Sequence, residues 1–318
     1  MRVLFWGTPE FATPALRALT GEGFDVVGVV TQPDKAVGRS RSTFEPPPVK
    51  RLATDEGIPV FQPARPRGDE FIAHLRGLEP DISVVVAYGQ LLPRDVIELP
   101  RHGTINIHAS LLPKLRGAAP VQAAILEGYQ ETGVTIMQMV EALDAGPSLL
   151  QVRTPIPDDE THGELSLRLS EMGALAMIEA LTLIDLGAAR PVPQDDAIAT
   201  YAPKIDRVRT RLDWNADART VWRAIRAYDP RPGAVTQHRG ADLKLFGASL
   251  AERAADARPG QITSIDASGM TVACGVSGHS SSANGAVRVS ALLPAGKRRL
   301  TPAEWSRGRG IAEGDQLF

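Results

Sequence analysis

Short, continuously apolar runs alternate with amphipathic stretches through the first 190 residues of this 318-residue chain. The clearest run, Ile82–Ala87, is typical of a strand that is buried on both faces of a sheet. Amphipathic stretches between such runs predict helices that cover those faces. This rhythm predicts an α/β fold with a Rossmann-like, mostly parallel sheet. The predicted strands are Arg2–Trp6, Val26–Thr31, Ile82–Ala87, Thr104–His108 and Thr132–Val140, and the predicted helices are Pro14–Leu19, Val49–Glu56 and Gly163–Leu186.

After Gly187 the texture of the sequence changes. Prolines and an acidic pair predict a linker, so we expect a first domain at 1–189, a linker at 190–206 and a second domain at 207–318. A helix at Ala218–Ala227 and short β-like runs between Gly-rich turns predict a small C-terminal β-barrel of the OB type. Those runs are Ala234–His238, Leu243–Phe246, Gln261–Ile265, Met270–Ala273 and Ala286–Leu292, and Gly275–Gly285 is predicted as a flexible loop.

The net charge of −2 conceals an asymmetry between the two parts. Residues 207–318 hold 17 basic and 10 acidic side chains, a balance of +7, whereas residues 1–206 hold 18 and 27, a balance of −9. A basic terminal part is typical of nucleic-acid binding, although chance variation of surface charge is an equal alternative.

Composition also constrains where the chain works. It has one cysteine, Cys274, which allows no intramolecular disulfide and is typical of a reducing compartment. No stretch approaches the roughly 20 apolar residues that span a bilayer. We therefore expect a cytoplasmic protein without a membrane segment, and separately we expect a monomer.

Two polar side chains interrupt the apolar run at Thr104–His108. Asn106 and His108 are two positions apart, so in a strand they share one face, and at the carboxyl end of a parallel strand that face opens towards a ligand crevice. Asp144 follows a later strand in a turn-rich loop. An amide donor, an imidazole and a carboxylate together suit acyl transfer, because they stabilise an oxyanion and move protons. The alternative is that all three are structural or turn residues.

Other familiar sites are poorly supported. Gly7-Thr8-Pro9 follows the first strand where a phosphate-binding turn would lie, but it lacks the G-x-G-x-x-G pattern. No cluster of His, Cys and Asp has metal-ligand spacing, so we predict no metal site. Between Asp34 and Pro48 a glycine, two arginines and three consecutive prolines break the pattern and predict a long loop, which in a compact domain is usually functional or mobile.

Residues 106–113 (NIHASLLP), followed by 144–147 (DAGP), resemble the signature of enzymes that use 10-formyltetrahydrofolate. These enzymes include glycinamide ribonucleotide, sugar-nucleotide and methionyl-tRNA formyltransferases. Seven further segments resemble the methionyl-tRNA formyltransferase family in particular, and the ribonucleotide enzyme normally lacks a second domain. Those segments are 7–12 (GTPEFA), 31–34 (TQPD), 85–89 (VVAYG), 116–120 (RGAAP), 131–139 (ETGVTIMQM), 200–205 (TYAPKI) and 293–297 (LPAGK).

This resemblance implies transfer of a formyl group from 10-formyltetrahydrofolate, a co-substrate, to the amino group of methionyl initiator tRNA. It implies Asn106, His108 and Asp144 as the catalytic residues. It implies folate contacts, made mostly by backbone groups, although the four leucines among these residues are equally well explained as core. The folate-binding residues are Tyr88, Gln90, Leu91, Leu92, Ser110, Leu111, Leu112 and Pro113.

Contacts with tRNA are expected from the arginine-bearing loop, the linker and the basic barrel. The candidates are Arg39, Arg41, Lys204, Lys297 and Arg298. The loop carries fewer positive charges than is usual in the family, so which arginine meets the tRNA stays open. Two other functions stay open as well: a sugar-nucleotide formyltransferase, and a nucleic-acid-binding protein without catalytic activity, which the intact trio argues against.

Overall fold

The computed structural model describes residues 1–37, 43–275 and 285–318. Arg39, Arg41 and most of the predicted Gly275–Gly285 loop therefore lie outside the described residues. The described chain divides into two compact units. The first unit comprises Met1–Pro120, Glu131–Pro155 and Ser166–Ala202, and the second comprises Val121–Gln130, Ile156–Leu165 and Pro203–Phe318.

Strands and helices alternate for the most part up to residue 202, as the hydrophobic pattern predicts. The strands are β1 (Arg2–Gly7), β2 (Asp25–Val30), β3 (Lys35–Val37), β4 (Thr43–Glu45), β5 (Val60–Phe61), β6 (Ile82–Val86), β7 (Thr104–His108), β8 (Glu131–Gln138) and β9 (Ser148–Pro155). The helices are α1 (Thr13–Gly21), α2 (Pro48–Asp55), α3 (Asp69–Gly77), α4 (Arg94–Ile97), α5 (Pro120–Leu126) and α6 (His162–Asp185).

The main sheet of the first unit has the strand order β5-β2-β1-β6-β7-β8-β9. The neighbours β5–β2, β2–β1, β1–β6 and β6–β7 pair in parallel. The neighbours β7–β8 and β8–β9 pair antiparallel. The central strand β6 is buried at every position, because helices cover both faces of a parallel sheet. The chain fills one side of β1 with β2 and β5 and then crosses to β6. The order therefore reverses between β1 and β6, which is where open α/β sheets bind ligands at the carboxyl ends of their strands.

Helix α6 covers one face of β7 at very close range. A Cβ atom built at Gly173 of α6 would lie 2.7 Å from Cγ2 of Ile107, so a larger residue would push the helix away. Because side chains alternate along a strand, Asn106 and His108 are on the opposite face of β7. The two candidate catalytic side chains on β7 therefore face away from α6.

The coarse fold prediction is confirmed: the first unit is a Rossmann-like α/β sheet, and the helix predicted at Gly163–Leu186 lies at His162–Asp185. Strand β9 was not predicted, because most of its residues are only partly buried and its apolar pattern is weak. The Asp34–Pro48 segment, predicted as a loop, contains a short antiparallel ribbon, since Lys35–Val37 pairs with Thr43–Glu45.

The second unit contains α7 (Ala218–Tyr228), five strands among its described residues and α8 (Pro302–Arg307). The strands pair antiparallel in the order β10-β11-β14-β13-β12. Isolated bridges join the C-terminal residues to both edges of this sheet, at His238–Leu317 and Gln261–Gln316. The strands do not form a closed barrel within the described ranges, so the OB-like barrel stays a prediction. Their bounds are β10 (Ala234–His238), β11 (Ala241–Ala251), β12 (Ile262–Asp266), β13 (Gly269–Ala273) and β14 (Ala286–Pro294).

Among the helices of the described chain, none has the length and apolarity needed to cross a lipid bilayer.

Candidate active site

Hydrogen bonds tie together the segments that follow β1, β2 and β6. The Thr8 hydroxyl donates to the Tyr88 carbonyl oxygen over 2.8 Å, which joins the ends of β1 and β6 at the switch point. The Gln90 amide donates to Oε1 of Gln32 over 3.0 Å. These bonds fix the backbone that begins the predicted folate segment, on the edge of the sheet where a ligand is expected.

His108 ends β7 and is 5% exposed. Its Nε2 lies 3.0 Å from the Leu115 carbonyl oxygen. Because a carbonyl oxygen only accepts, Nε2 carries the ring proton in this arrangement. Nδ1 lies 3.7 Å from Oδ2 of Asp144, which is close enough for an ion pair when the ring is protonated. The structure therefore brings two of the three predicted catalytic residues together.

Burial is the main influence on the charge of His108. It lowers the pKa of the imidazole below its ordinary value, while the Asp144 carboxylate and the bond to Leu115 act in the opposite direction. The resting ring is therefore neutral near pH 7, with its lone pair on Nδ1. A proton gained there would be stabilised by Asp144, so the pair suits reversible proton transfer.

The Asp144 carboxylate is held by backbone. Its Oδ2 accepts the N–H of Gly117 over 2.7 Å, and the side chain is 13% exposed. Asp144 has a φ of +49°, in the left-handed region that side-chain-bearing residues seldom occupy.

Asn106 lies two residues before His108 on β7 and is half-buried. Two residues of strand span roughly 6.6 Å, so Asn106 and His108 are near neighbours on the same face of β7. The Asn106 side chain makes no hydrogen bond within the described ranges. Its N–H groups are therefore available to a ligand.

The predicted folate residues divide by burial. Tyr88 is 1% exposed and packs edge-on against Trp6, with ring centroids 5.2 Å apart, and burial raises the pKa of its phenol to about 12. Leu92 and Leu112 are also buried. These three side chains serve the core, so a ligand would meet their backbone groups.

The remaining folate residues are more accessible or hold the turn that follows β7. Leu91 is 75% exposed, and Gln90, Leu111 and Pro113 are half-buried. The Ser110 hydroxyl donates to the Lys114 carbonyl oxygen over 2.6 Å, which closes the turn. An exposed leucine beside fixed backbone suits a flat, partly apolar ring system.

The described tRNA candidates are solvent-exposed cations. Lys204 and Lys297 are exposed, and Arg298 is exposed with a long ion pair to Glu304 at 3.9 Å. Because their side chains lie in solvent, they are free to meet a phosphate backbone.

Sequence reasoning missed two groups of residues. Leu115 and Gly117 contact His108 and Asp144 through backbone atoms, and backbone contacts leave no sequence pattern. In the second unit Arg219, Arg223 and Arg226 line a cleft beside α7 together with Asp158. Their spacing of four and three residues, which places them on one side of a helix, was a signal that could have found them.

Two protein-family models match the amino-acid sequence of the chain. The model described as Formyl transferase matches residues 1–181, and the model described as Formyl transferase, C-terminal domain, matches residues 204–310. The fold and the site thus define a formyl transferase with two parts.

Curated relatives narrow this class. A methionyl-tRNA formyltransferase of Magnetococcus marinus is 45% identical over 99% of this chain and 98% of its own length. One of Halalkalibacterium halodurans is 41% identical over 98% of this chain and 95% of its own length. The chain belongs to the methionyl-tRNA formyltransferase family.

A solved structure shares the fold. HypX from Aquifex aeolicus, in complex with tetrahydrofolic acid, has a TM-score of 0.66 and 22% sequence identity, and the match covers 96% of this chain and 46% of that one. As for metals, the described residues contain no group of three or more His, Cys, Asp and Glu side chains that could hold an ion.

Proposed function

We propose that this chain transfers the formyl group of 10-formyltetrahydrofolate to the amino group of methionine carried by initiator tRNA. The observation that carries this proposal is the placement of His108 and Asp144, 3.7 Å apart, beside Asn106 at the carboxyl end of β7. Family membership supports the choice of donor and acceptor.

In the proposed reaction the methionine amino nitrogen attacks the formyl carbon. A new C–N bond forms while the carbonyl π pair moves onto oxygen. The Asn106 amide then donates to that oxygen, in the role of an oxyanion donor. When the carbonyl reforms, the bond between the formyl carbon and the folate nitrogen breaks.

Protons balance through His108. The attacking nitrogen loses one proton and the departing folate nitrogen gains one, so no net proton is consumed. In the neutral ring Nδ1 is the basic nitrogen, and Asp144 stabilises the imidazolium that forms when it accepts this proton. The bond from Nε2 to the Leu115 carbonyl holds the ring orientation through both stages.

The residues around the switch point fit a reduced folate. The exposed Leu91 offers apolar surface, and the turn after Ser110 offers backbone groups for a pterin ring. Binding of tetrahydrofolic acid by HypX, which shares this fold, supports the same class of ligand here.

We propose that residues 1–189 carry the transfer reaction, that 190–206 connect the parts, and that 207–318 help to hold the tRNA. The exposed Lys204, Lys297 and Arg298 are the candidates for phosphate contacts, and Arg223 of the α7 cleft is added to them. An OB-like closure of the sheet by its C-terminal residues would give these cations a compact platform.

The protein is proposed to act as a monomer in the cytoplasm. All three catalytic side chains come from the same chain, so no second copy is needed to complete the site. Aminoacylated tRNA is a cytoplasmic substrate, which supports that location.

The test is a formylation assay with 10-formyltetrahydrofolate and methionyl initiator tRNA, in which the formylated product is identified by mass. Methionyl elongator tRNA and a 4-amino-sugar nucleotide serve as competing acceptors, and Asn106→Ala serves as the inactive control. We expect product with initiator tRNA, little with elongator tRNA and none with the sugar nucleotide. Preferential formylation of the sugar nucleotide, or no transfer to any acceptor, would overturn the proposal.

A further inference from the structure

We propose that Arg116 and Gln194 are positioning residues that hold His108 and Asp144 in their working geometry. The inference rests on the proposed function only in assigning proton transfer to that pair. Neither residue touches the reacting atoms. They act through the backbone on which both catalytic side chains depend.

A tripeptide links the two catalytic residues. The Leu115 carbonyl oxygen accepts from His108 over 3.0 Å, and the Gly117 N–H donates to Asp144 over 2.7 Å. Arg116 stands between them in the chain. Any shift of this tripeptide would therefore change the orientation of the imidazole and of the carboxylate together.

Two of these contacts depend on unfavourable backbone. Leu115 has a φ of +60° and Asp144 a φ of +49°. A residue with a side chain loses conformational energy in this region and keeps such a conformation only when its surroundings hold it. External contacts must therefore fix both residues.

Gln194 provides the contacts at Asp144. Its Nε2 donates to the carbonyl oxygens of Asp144 (2.9 Å) and Gly146 (2.7 Å), so both of its N–H groups hold the catalytic turn. Its Oε1 accepts two bonds from Arg116, at 3.1 Å to Nε and 2.8 Å to Nη2. Every polar group of this amide is thus used, and it joins the Asp144 turn to the tripeptide. We call this pair the Arg116–Gln194 clamp.

Thr200, six residues after Gln194, holds Leu115. The Leu115 N–H donates to Oγ1 of Thr200 over 2.9 Å, and the Arg116 N–H donates to the Thr200 carbonyl oxygen over 2.9 Å. Arg116 is 3% exposed and also pairs with Asp196, whose side chain is 81% exposed. Because a buried guanidinium is costly without partners, the position of Arg116 depends on Gln194 and Asp196.

Loss of the clamp should change the electrostatic influence of Asp144 on the pKa of His108. Among the described residues, Asp144 is the charged group that faces the His108 ring, and it raises the pKa that burial lowers. If the Asp144 turn relaxes, the carboxylate moves away and the pKa of His108 falls further. A residue that merely supported folding would lower the active fraction without moving this titration.

The experiment compares Gln194→Ala with wild type and with Gln261→Ala. Gln261 is a matched glutamine whose Oε1 accepts a local backbone N–H, from Arg258, in the second unit. We expect Gln194→Ala to lower kcat by about 10- to 100-fold, with the KM for 10-formyltetrahydrofolate changed by about twofold or less. The pH profile and the His108 titration, followed by NMR on protein with labelled histidine, should move to lower pH. Gln261→Ala should leave both readouts unchanged.

Arg116→Lys is the second variant, because Arg116→Ala removes a buried charge that two side chains contact. Lysine keeps the charge but cannot form the forked contact with Gln194, so it should reproduce the loss in kcat. Wild-type kcat and an unmoved His108 titration in Gln194→Ala would overturn the clamp. If the wild-type chain transferred no formyl group while Gln194→Ala still moved the titration, the proposed function would fail and the clamp would stand.

Discussion

Gly117 donates its backbone N–H to the Asp144 carboxylate over 2.7 Å, and this bond sets the direction in which the carboxylate faces His108. The glycine is required at that point for two reasons. Its φ is +115°, and a Cβ there would lie 2.8 Å from the carbonyl oxygen of Ala202. A side chain would therefore strain the backbone and displace the residue that holds Asp144.

Gly117→Ala should consequently impair both folding and turnover. We expect a loss of about 3 kcal/mol in the free energy of unfolding, measured by urea denaturation, because backbone strain and a clash with backbone add together. Gly57→Ala is the matched control. Gly57 also has a positive φ, but a Cβ at that position would meet no atom within 4 Å, so the change should cost about 1 kcal/mol. Equal losses in the two variants would contradict the close approach of Ala202.

Asn106→Ala should remove at least about 100-fold of kcat, as the loss of an oxyanion donor typically does. Because Asn106 makes no hydrogen bond within the described chain, the midpoint of thermal unfolding should scarcely change. His108→Ala should show a comparable loss in rate. Single-turnover formylation of methionyl initiator tRNA measures the chemical step directly, and near-normal turnover by Asn106→Ala would remove it from the site.

His162 should make the free energy of unfolding depend on pH in the acidic range. Burial lowers the pKa of this histidine from 6.5 to about 4, and its Nδ1 finds no hydrogen-bond partner among the described residues. The unfolded chain therefore binds a proton more readily than the folded chain between pH 6.5 and 4. The stabilising contribution is complete above about pH 6.5 and is lost as the pH falls through that window, by about 3 kcal/mol in total.

His162→Gln should flatten this dependence, since glutamine does not titrate. The check is the free energy of unfolding in urea at pH 7 and at pH 4.5 for wild type, His162→Gln and His102→Gln. His102 is exposed and serves as the control. A variant at 162 that lost as much stability in acid as wild type would show that other groups govern acid unfolding.

Affinity for tRNA should fall steeply with salt, because cations that neutralise phosphates release counterions. The double variant Lys204→Ala/Lys297→Ala should weaken binding and make the plot of log affinity against log salt shallower by about 1 to 2. Filter binding at several potassium chloride concentrations measures this slope. Glu313→Ala, a change of charge at an exposed position, is a control that should not lower the slope. An unchanged slope in the double variant would place the phosphate contacts elsewhere.

Arg39 lies outside the described residues, so its role rests on sequence and family resemblance. Such a loop is expected to meet the acceptor end of the tRNA and to exploit the weak first base pair of the initiator. Arg39→Ala should therefore slow turnover on initiator tRNA far more than on a variant tRNA with a strong first pair, and Arg41→Ala should act in the same direction. A uniform loss on both tRNAs, or none on either, would remove the discrimination role and leave the proposed reaction intact.

The amino-acid sequence by itself determined the alternation of strands and helices in the first unit. Periodicity is a local property, so Ile82–Ala87 and Gly163–Leu186 were recognisable without any partner. Strand β9 and the short helix α4 were not, because their patterns are too weak or too short to stand out. The position of Asn106 and His108 on one face of β7 also followed from sequence, since side chains alternate along any strand.

Only the tertiary structure decided how Asp144 meets His108 and what holds them. Residues 108, 144 and 194 are far apart in sequence, and their contacts run through the carbonyl of Leu115, the N–H of Gly117 and the amide of Gln194. Backbone donors and acceptors are the same at every residue, so no residue type announces such a bond. Tertiary structure also placed the Tyr88 side chain in the core against Trp6, which leaves its backbone as the part predicted to meet a ligand. An aromatic side chain at a strand end suits either the core or a ligand surface, and only packing decides which.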